Sequence, residues 1–196
     1  QLLKSSVVTS VYEVEAAVDT YAAGKMKYME EESFKDDRPF EKSFYKGDQT
    51  LKGKEVYQYA SGSNLPNGSI YYGDKGQLLS TYKFSYVDTL KSKTMAYAGD
   101  TDELLRIETF KYDNNGNLVV KSIYNALNQL EKSFLFSHDQ YGNENLMIVT
   151  DKDDNKIATE NYEIIEVDLQ KRWLERYGYV NNKLIPNTFY KRSRND

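Results

Sequence analysis

The stretch from Thr109 to Tyr124, TFKYDNNGNLVVKSIY, contains the phrase that decides the fold. In it Tyr112 is followed by a polar run of five residues and then by Leu118. The same spacing recurs at Tyr45/Leu51, Tyr72/Leu78 and Tyr124/Leu130. Gly, Asn and Asp are frequent in these runs, and they accept the positive φ that tight hairpins require. Each phrase therefore predicts a strand, a turn and a return strand.

The segments between the turn signals have the two-residue period of β-strands. In residues 78–86 the rings of Tyr82, Phe84 and Tyr86 alternate with mainly polar side chains, which places the rings on one face. Anchors at Tyr112, Tyr124 and Phe136 recur every 12 residues. The pattern predicts an all-β antiparallel meander of about 12–14 strands in repeated hairpins. Because twisted open sheets rarely exceed about 10 strands, we expect one large sheet that curls or closes.

Residues 6–22 fit two secondary structures. Val7, Val11, Val14, Val18 and Tyr21 have helical spacing. However, the segment from residue 10 to 15 also alternates and is rich in residues that favour strands. We favour a strand, with a helix as the alternative.

Composition limits the classes of function. The 196 residues fit a single domain over 1–196, since no Pro/Ser-rich linker interrupts them. A net charge of −4 gives no reason to expect nucleic-acid binding. The absence of cysteine excludes disulfides, thiolate metal sites and a cysteine nucleophile. The sequence has no run of about 18 apolar residues, so it predicts no transmembrane segment. We expect no cofactor and no metal.

The hairpin phrase carries a family resemblance. The stretch from Thr109 to Tyr124, and more loosely YYGDKGQLLSTYKF from Tyr71 to Phe84, resemble the repeats of rearrangement-hotspot (RHS/YD) proteins. In those proteins Tyr-Asp-x-x-Gly-x-Leu marks each hairpin. The chain is also similar to small envelope or lipoprotein-type proteins of Gram-negative bacteria. The resemblance implies a hairpin-repeat fold and a periplasmic, surface-anchored or secreted location. It does not imply toxin encapsulation, because this chain is too short to enclose a cargo.

Catalytic and metal-binding patterns are weak. His138 is the single histidine, and Ser137 and Asp139 flank it; neighbours in a strand point to opposite faces, so they do not predict a triad. Asp151, Asp153 and Asn155 match the first half of a calcium loop. The second half lacks the required Gly and bidentate Glu, so a hairpin turn explains the segment better. Acidic pairs occur, but no feature selects one as catalytic.

Two C-terminal features have structural explanations. Trp173 is expected to begin a late strand and to anchor the C-terminal hairpin in the core. The basic residues 191–194, KRSR, are typical of a frayed terminus. Contact with an acidic lipid or another polyanion is the alternative.

Tyrosines in the middle of the chain give the main functional hypothesis. Their rings can stack on sugars and their hydroxyls can form hydrogen bonds, while cross-strand packing is the structural alternative. We predict a non-enzymatic envelope or secreted protein that binds a glycan, peptide or protein partner. For binding, we expect at least three of these rings to lie exposed on one surface. The alternatives are a carrier of an apolar ligand in a cupped sheet and a hydrolase with an unidentified acid pair. The candidate ligand-binding residues are Tyr57, Tyr59, Tyr71, Tyr72, Tyr82 and Tyr86.

Overall fold

A computed structural model describes residues 4–17, 20–88, 90–183 and 186–195. The described chain is built from strands joined by short turns. The strands are β1 (Lys4–Ala17), β2 (Thr20–Lys35), β3 (Arg38–Lys46), β4 (Leu51–Tyr59), β5 (Pro66–Gly73), β6 (Leu78–Asp88), β7 (Lys91–Ala98), β8 (Leu104–Tyr112), β9 (Leu118–Asn125), β10 (Leu130–His138), β11 (Glu144–Asp151), β12 (Lys156–Val167), β13 (Trp173–Val180) and β14 (Thr188–Asn195).

Every strand pairs with its neighbours in sequence, and the sheet closes into a barrel. All pairings are antiparallel, and closure comes from the pairing of β1 with β14, for example Val11 with Tyr190. The predicted class, an all-β antiparallel meander that closes, is confirmed, and its 14 strands lie within the expected number. Closure removes the unpaired edges that an open sheet would expose.

The predicted hairpins are confirmed. Gly47, Gly76, Gly116, Asn128 and Asn155 all lie between consecutive paired strands. Positive φ occurs at Gly76 (77°), Gly116 (83°) and Asn128 (60°), where the turn requires a left-handed residue.

A side chain stabilises several of these turns. The Oδ1 atom of Asp113 accepts the backbone N–H of Asn115 at 2.9 Å and that of Asn117 at 2.8 Å. Asp139, Asp151 and Asp168 repeat this arrangement in their own turns. The Asp at the end of a strand therefore satisfies N–H groups that the sheet leaves unpaired.

The N-terminal segment is a strand pair. Of residues 6–22, those up to Ala17 belong to β1 and those from Thr20 belong to β2; residues 18 and 19 lie outside the described residues. Of the two alternatives, the strand is confirmed. Register shifts near Tyr12 interrupt the pairing, which is how a long ribbon adjusts its bend and twist.

The basic C-terminal segment is part of the barrel. Residues 191–194 belong to β14 and pair with β1, for example Arg192 with Thr9. The prediction of a frayed terminus is wrong, because the closing strand needs these backbone groups for its hydrogen bonds. Trp173 begins β13 as predicted, and it is half-buried.

Strand register identifies the face that points into the barrel. Residues opposite each other in a ladder share a face, and the pairs Tyr57–Ser69, Ser69–Tyr82 and Tyr82–Ala96 link successive strands. Glu55, on the same face of β4, lies close enough to Glu108 of β8 for that charge to raise its pKa. Side chains separated by so many strands meet only on the concave side, so this face is the interior.

The two ends of the barrel differ in the turns they contain. Turns after odd-numbered strands lie at one end, which we call the odd mouth. Turns after even-numbered strands lie at the other end, which we call the even mouth.

Candidate functional site

A cavity of about 690 Å³ lies against the interior face of seven consecutive strands, β3 to β9. We call it the central cavity. Its volume is within the range of about 300–1,000 Å³ that small-molecule sites occupy. Aromatic rings and charged groups alternate around it. The lining residues are Phe44, Lys52, Glu55, Tyr71, Tyr82, Thr94, Arg106, Glu108, Phe110 and Lys121.

Aromatic rings on four strands give the cavity flat apolar surfaces. Phe44 and Tyr71 meet edge to face, with 5.8 Å between ring centroids. Burial raises the pKa of the Tyr82 hydroxyl, so this group stays protonated at neutral pH and is available as a hydrogen-bond donor. The ammonium group of Lys121 lies 5.5 Å from the centroid of the Phe110 ring.

Glu108 is the centre of the charged part of the lining. Its two carboxylate oxygens contact Arg106 Nε at 2.8 Å and Lys121 Nζ at 2.9 Å. Glu108 is 8% exposed, and two cations offset the cost of burying its charge. The ion pairs hold the ends of Arg106 and Lys121 against the cavity.

Glu55 is the second carboxylate of the central cavity. It accepts a short hydrogen bond from the Ser69 hydroxyl, and Ser69 is fully buried. Burial raises the pKa of Glu55 above its usual value, an effect that the bond from Ser69 opposes. The cavity therefore contains one carboxylate stabilised by cations and one that is easier to protonate.

Five of the six predicted tyrosines face the interior. Tyr71 and Tyr82 line the central cavity. Tyr57 lies on the same face and donates a hydrogen bond to Glu32 at 3.2 Å. Tyr59 is nearer the even mouth and donates to the Pro39 carbonyl at 2.6 Å. The register therefore brings together most of the residues that the sequence singled out.

Tyr72 and Tyr86 mark the limits of this cluster, since Tyr86 is the fifth interior tyrosine and Tyr72 is the one that faces outward. Tyr72 pairs with Lys54 and Tyr71 pairs with Glu55, so the ring of Tyr72 points to the outer face. Tyr86 lies at the even mouth, in a second cavity of about 640 Å³ that Leu65 and Tyr112 also line.

The expectation of exposed rings is wrong. Of the six tyrosines only Tyr86 is exposed, at 44%. Closure of the sheet turns the ring-bearing face inward, so the rings do not form an open platform. A role of the six side chains in binding stays a prediction.

His138 and the residues beside it belong to a turn. His138 ends β10, and the carboxylate of Asp139 accepts the backbone N–H groups of Tyr141 and Asn143. The carboxylate of Asp151 is occupied in the same way by Asp153 and Asn155. Both segments have the structure of the hairpin turns predicted for them.

Away from the central cavity, Arg176 of β13 is buried among aromatic side chains and is 8% exposed. Its guanidinium carbon lies 3.8 Å from the ring centroid of Tyr162, 4.5 Å from that of Trp173 and 4.9 Å from that of Tyr190. The hydroxyls of Tyr190 and Tyr162 donate to the two oxygens of Glu160 at 2.8 and 3.0 Å. We call this group the Arg176 cluster.

Sequence reasoning missed the charged residues of the central cavity. It assigned aromatic side chains to one face of each strand and polar ones to the other. In β8, however, Arg106, Glu108 and Phe110 follow each other at every second position, so charges and a ring share one face. That alternation is a signal for a polar interior, and it is visible in the sequence.

Within the described residues, no group of three or more acidic, histidine or cysteine side chains is placed to hold a metal ion. No described helix has the length and apolar character needed to cross a membrane.

Comparisons with known proteins add a loose likeness of fold. No protein-family model matches the chain, and no curated protein matches it. Among solved structures, a porin-like protein from Bacteroides uniformis is 9% identical with a TM-score of 0.41. The match covers 94% of this chain and 58% of that one, so the chain spans little more than half of its length. A TcdB2-TccC3-TEV structure is also 9% identical, with a TM-score of 0.22, over 93% of this chain and 11% of that one.

Proposed function

We propose that the protein is a non-enzymatic binding protein of the bacterial envelope, or a secreted one, that holds a short glycan in the central cavity. The observation that supports this is the alternation of aromatic rings with fixed charged groups around a cavity of about 690 Å³. The proposed location rests on the resemblance of the hairpin phrases to those of envelope proteins.

A sugar ring has two kinds of surface, and the cavity offers a partner for each. Its C–H faces pack on aromatic rings such as those of Tyr71 and Tyr82. Its hydroxyls form hydrogen bonds with charged groups, which are stronger than bonds between neutral groups. Arg106 and Glu108 are held by their mutual ion pair, so little side-chain freedom is lost when a ligand binds.

The same lining argues against a carrier of an apolar ligand in this cavity. Lys52, Glu55, Arg106, Glu108 and Lys121 all contribute to the wall. An apolar ligand would remove water from these groups without replacing their hydrogen bonds, which is costly. The hydroxyls of a glycan would replace those hydrogen bonds.

Neighbouring tyrosines on opposite faces provide a matched test. The wild-type protein is applied to a glycan array, and the best oligosaccharide is then titrated by calorimetry. We expect Tyr71→Ala and Tyr82→Ala to weaken binding by about five- to tenfold each, since a ring contact contributes roughly 1 kcal/mol. Tyr72→Ala, on the outer face, should change the dissociation constant by less than about twofold.

Two results would overturn the proposal. One is the absence of binding to any glycan on the array. The other is an equal loss of affinity in Tyr71→Ala and Tyr72→Ala, which would place the ligand outside the cavity or show a general loss of structure. Thermal melting of each variant separates these explanations, because a variant that stays folded cannot lose affinity through unfolding.

A second candidate function is glycoside hydrolysis, and one observation favours it. Glu55 and Glu108 line the same cavity, and burial raises the pKa of Glu55 while two cations contact Glu108. Glycosidases use two such carboxylates, an acid that stays protonated and an ionised partner.

Product analysis separates the two candidates. The oligosaccharide that binds best is incubated with wild-type protein and with Glu55→Gln, which keeps the shape of the side chain but cannot transfer a proton. For the binding protein, neither sample releases shorter products. Turnover by wild-type protein that Glu55→Gln abolishes, with binding retained, would establish the hydrolase instead.

A further inference from the structure

A small cavity at the even mouth is lined by three arginines. Its volume is about 130 Å³, room for about four water molecules at roughly 30 Å³ each. Arg172 comes from the turn between β12 and β13, while Arg192 and Arg194 come from β14. Asp168 is the acidic residue of the lining, and Glu32 lies near enough for its charge to act on Arg192. We call this group the arginine pocket.

Asp168 is engaged with one of the three arginines. Its Oδ2 atom contacts Arg172 Nε at 2.7 Å and the terminal nitrogen of the same guanidinium at 2.6 Å. Its Oδ1 atom accepts the backbone N–H groups of Gln170 and Arg172. The carboxylate therefore fixes the direction of Arg172 and has little capacity left for Arg192.

Arg192 is the cation with the least compensation. It is half-buried, and its guanidinium carbon lies 5.7 Å from the ring centroid of Trp173. It makes no ion pair within the described part of the chain. Burial lowers its pKa, and the charges of Arg172 and Arg194 lower it further, although Asp168 and Glu32 act in the opposite direction. A partly desolvated cation beside like charges is stabilised by a bound anion.

We propose that the arginine pocket binds a phosphate or sulfate group. The forked donors of arginine match the oxygens of a tetrahedral oxyanion. Such a group would supply the charge partner that Arg192 lacks among the described residues, and the cavity of about 130 Å³ has room for one. Val7, Phe34 and Trp173 contribute apolar surface to the wall. The pocket is separate from the central cavity, so this site does not depend on glycan binding.

Calorimetry of the intact protein in chloride buffer tests the site. The probes are inorganic phosphate, inorganic sulfate, glucose 6-phosphate, and vesicles of phosphatidylglycerol with phosphatidylcholine vesicles as the neutral reference. We expect wild-type protein to bind at least one anionic probe. Arg192→Gln should weaken that binding about tenfold or more, as loss of a charge-assisted hydrogen bond does. Arg192→Lys keeps the charge but loses the paired donors of the guanidinium. Its affinity for the anion should lie between that of wild type and that of Arg192→Gln.

The control is Lys171→Gln, which removes one positive charge from the same turn as Arg172, at a residue that does not line the pocket. It should change affinity by less than about twofold. The probes also identify the source of the group: free phosphate or sulfate, a sugar phosphate, or a lipid headgroup. Melting in chloride buffer shows that each variant is folded, and Arg192→Gln should be no less stable than wild type without the anion.

Three results would overturn the proposal. The first is that wild-type protein binds none of the anionic probes. The second is that Arg192→Gln binds as well as wild type. The third is an equal weakening in Lys171→Gln and Arg192→Gln, which would indicate a general attraction of anions rather than a site.

Discussion

The central cavity and the Arg176 cluster are built from the same kinds of residue on the same interior face. The first, which we call the hollow wall, surrounds about 690 Å³ of space. The second, which we call the filled wall, holds a buried guanidinium against three rings. In the cluster the guanidinium of Arg176 lies against the Tyr162, Trp173 and Tyr190 rings. In the cavity Arg106 is directed instead to the carboxylate of Glu108 on its own strand.

The direction of the cation explains the difference. Arg176 extends across its neighbouring strands, where its contacts with several rings close the space between them. Arg106 is instead paired with Glu108 on its own strand. Similar compositions can therefore give a packed core or a ligand-sized space, depending on where the charged ends are held. The filled wall should determine stability, and the hollow one should determine binding.

The largest expected effect is that of Arg176→Ala. This buried side chain lies against three aromatic rings and donates to the Glu144 carbonyl. Truncating a large buried side chain leaves a cavity and costs about 2–5 kcal/mol. Chemical denaturation measures the free energy of unfolding. The matched variant Arg106→Ala, whose side chain is 48% exposed, should cost less than Arg176→Ala, because Lys121 stays paired with Glu108. Equal losses would show that the cavity wall is as much a part of the core as the cluster.

A smaller effect is expected from removing one hydroxyl in each region. Tyr190→Phe deletes the hydrogen bond to Glu160, of 2.8 Å, and a buried bond to a charged group contributes about 1.5–3 kcal/mol. Tyr71→Phe in the central cavity keeps the ring contact with Phe44 and should change stability by less than about 0.5 kcal/mol. Denaturation curves of the two variants provide the comparison. A larger loss for Tyr71→Phe would mean that its hydroxyl has a structural partner.

The sequence predicted the fold better than it predicted the site, and the reason is physical. Turns are local, so the residues from Tyr112 to Leu118 contain the information for their own hairpin. The direction of a face depends on closure, which is a property of the whole meander. Tyr71 and Tyr72 show the consequence: both were singled out, and only the register reveals that they point to opposite sides. Arg176 was not singled out, because only the strand register places Tyr162 of β12 and Tyr190 of β14 on its face.

Stability should also depend on pH through one carboxylate in each region. Burial raises the pKa of Glu55 beside the cavity and of Glu144 beside the cluster, although the charge of Arg176 opposes the effect on Glu144. The folded state therefore binds these protons more tightly than the unfolded state. Their contribution is fully present below the ordinary value of 4.5 and is lost as pH rises through the folded pKa.

Denaturation between pH 4 and pH 8 measures this effect. The slope per group cannot exceed about 1.4 kcal/mol per pH unit. Glu55→Gln and Glu144→Gln should each flatten the fall in stability above pH 4.5 and be more stable than wild type at neutral pH. Of the two variants, the one that replaces the carboxylate with fewer favourable partners should show the larger gain in stability at neutral pH. A steeper fall in either variant would contradict the direction of the shift.

The smallest expected effect is that of calcium, and it concerns the turns rather than either wall. The Asp151 carboxylate already accepts the backbone N–H of Asp153 and that of Asn155, both at 2.9 Å. The side-chain amide of Asn155 lowers the pKa of Asp151 most, and the two backbone bonds lower it further, because all of them favour the ionised form. A cation would have to displace them, and the loop lacks the Gly and the bidentate Glu that calcium loops use.

We therefore expect the melting temperature in about 1 mM calcium to equal that in chelator within about one degree, since a ligand stabilises by RT ln(1 + [L]/Kd). Asp151→Asn is the matched variant, because it keeps an oxygen acceptor and removes the charge. A rise of several degrees in wild-type protein that Asp151→Asn abolishes would place a ligand at a turn. In that case a turn would be a ligand site as well as the central cavity, and the two regions would differ in their contribution to stability alone.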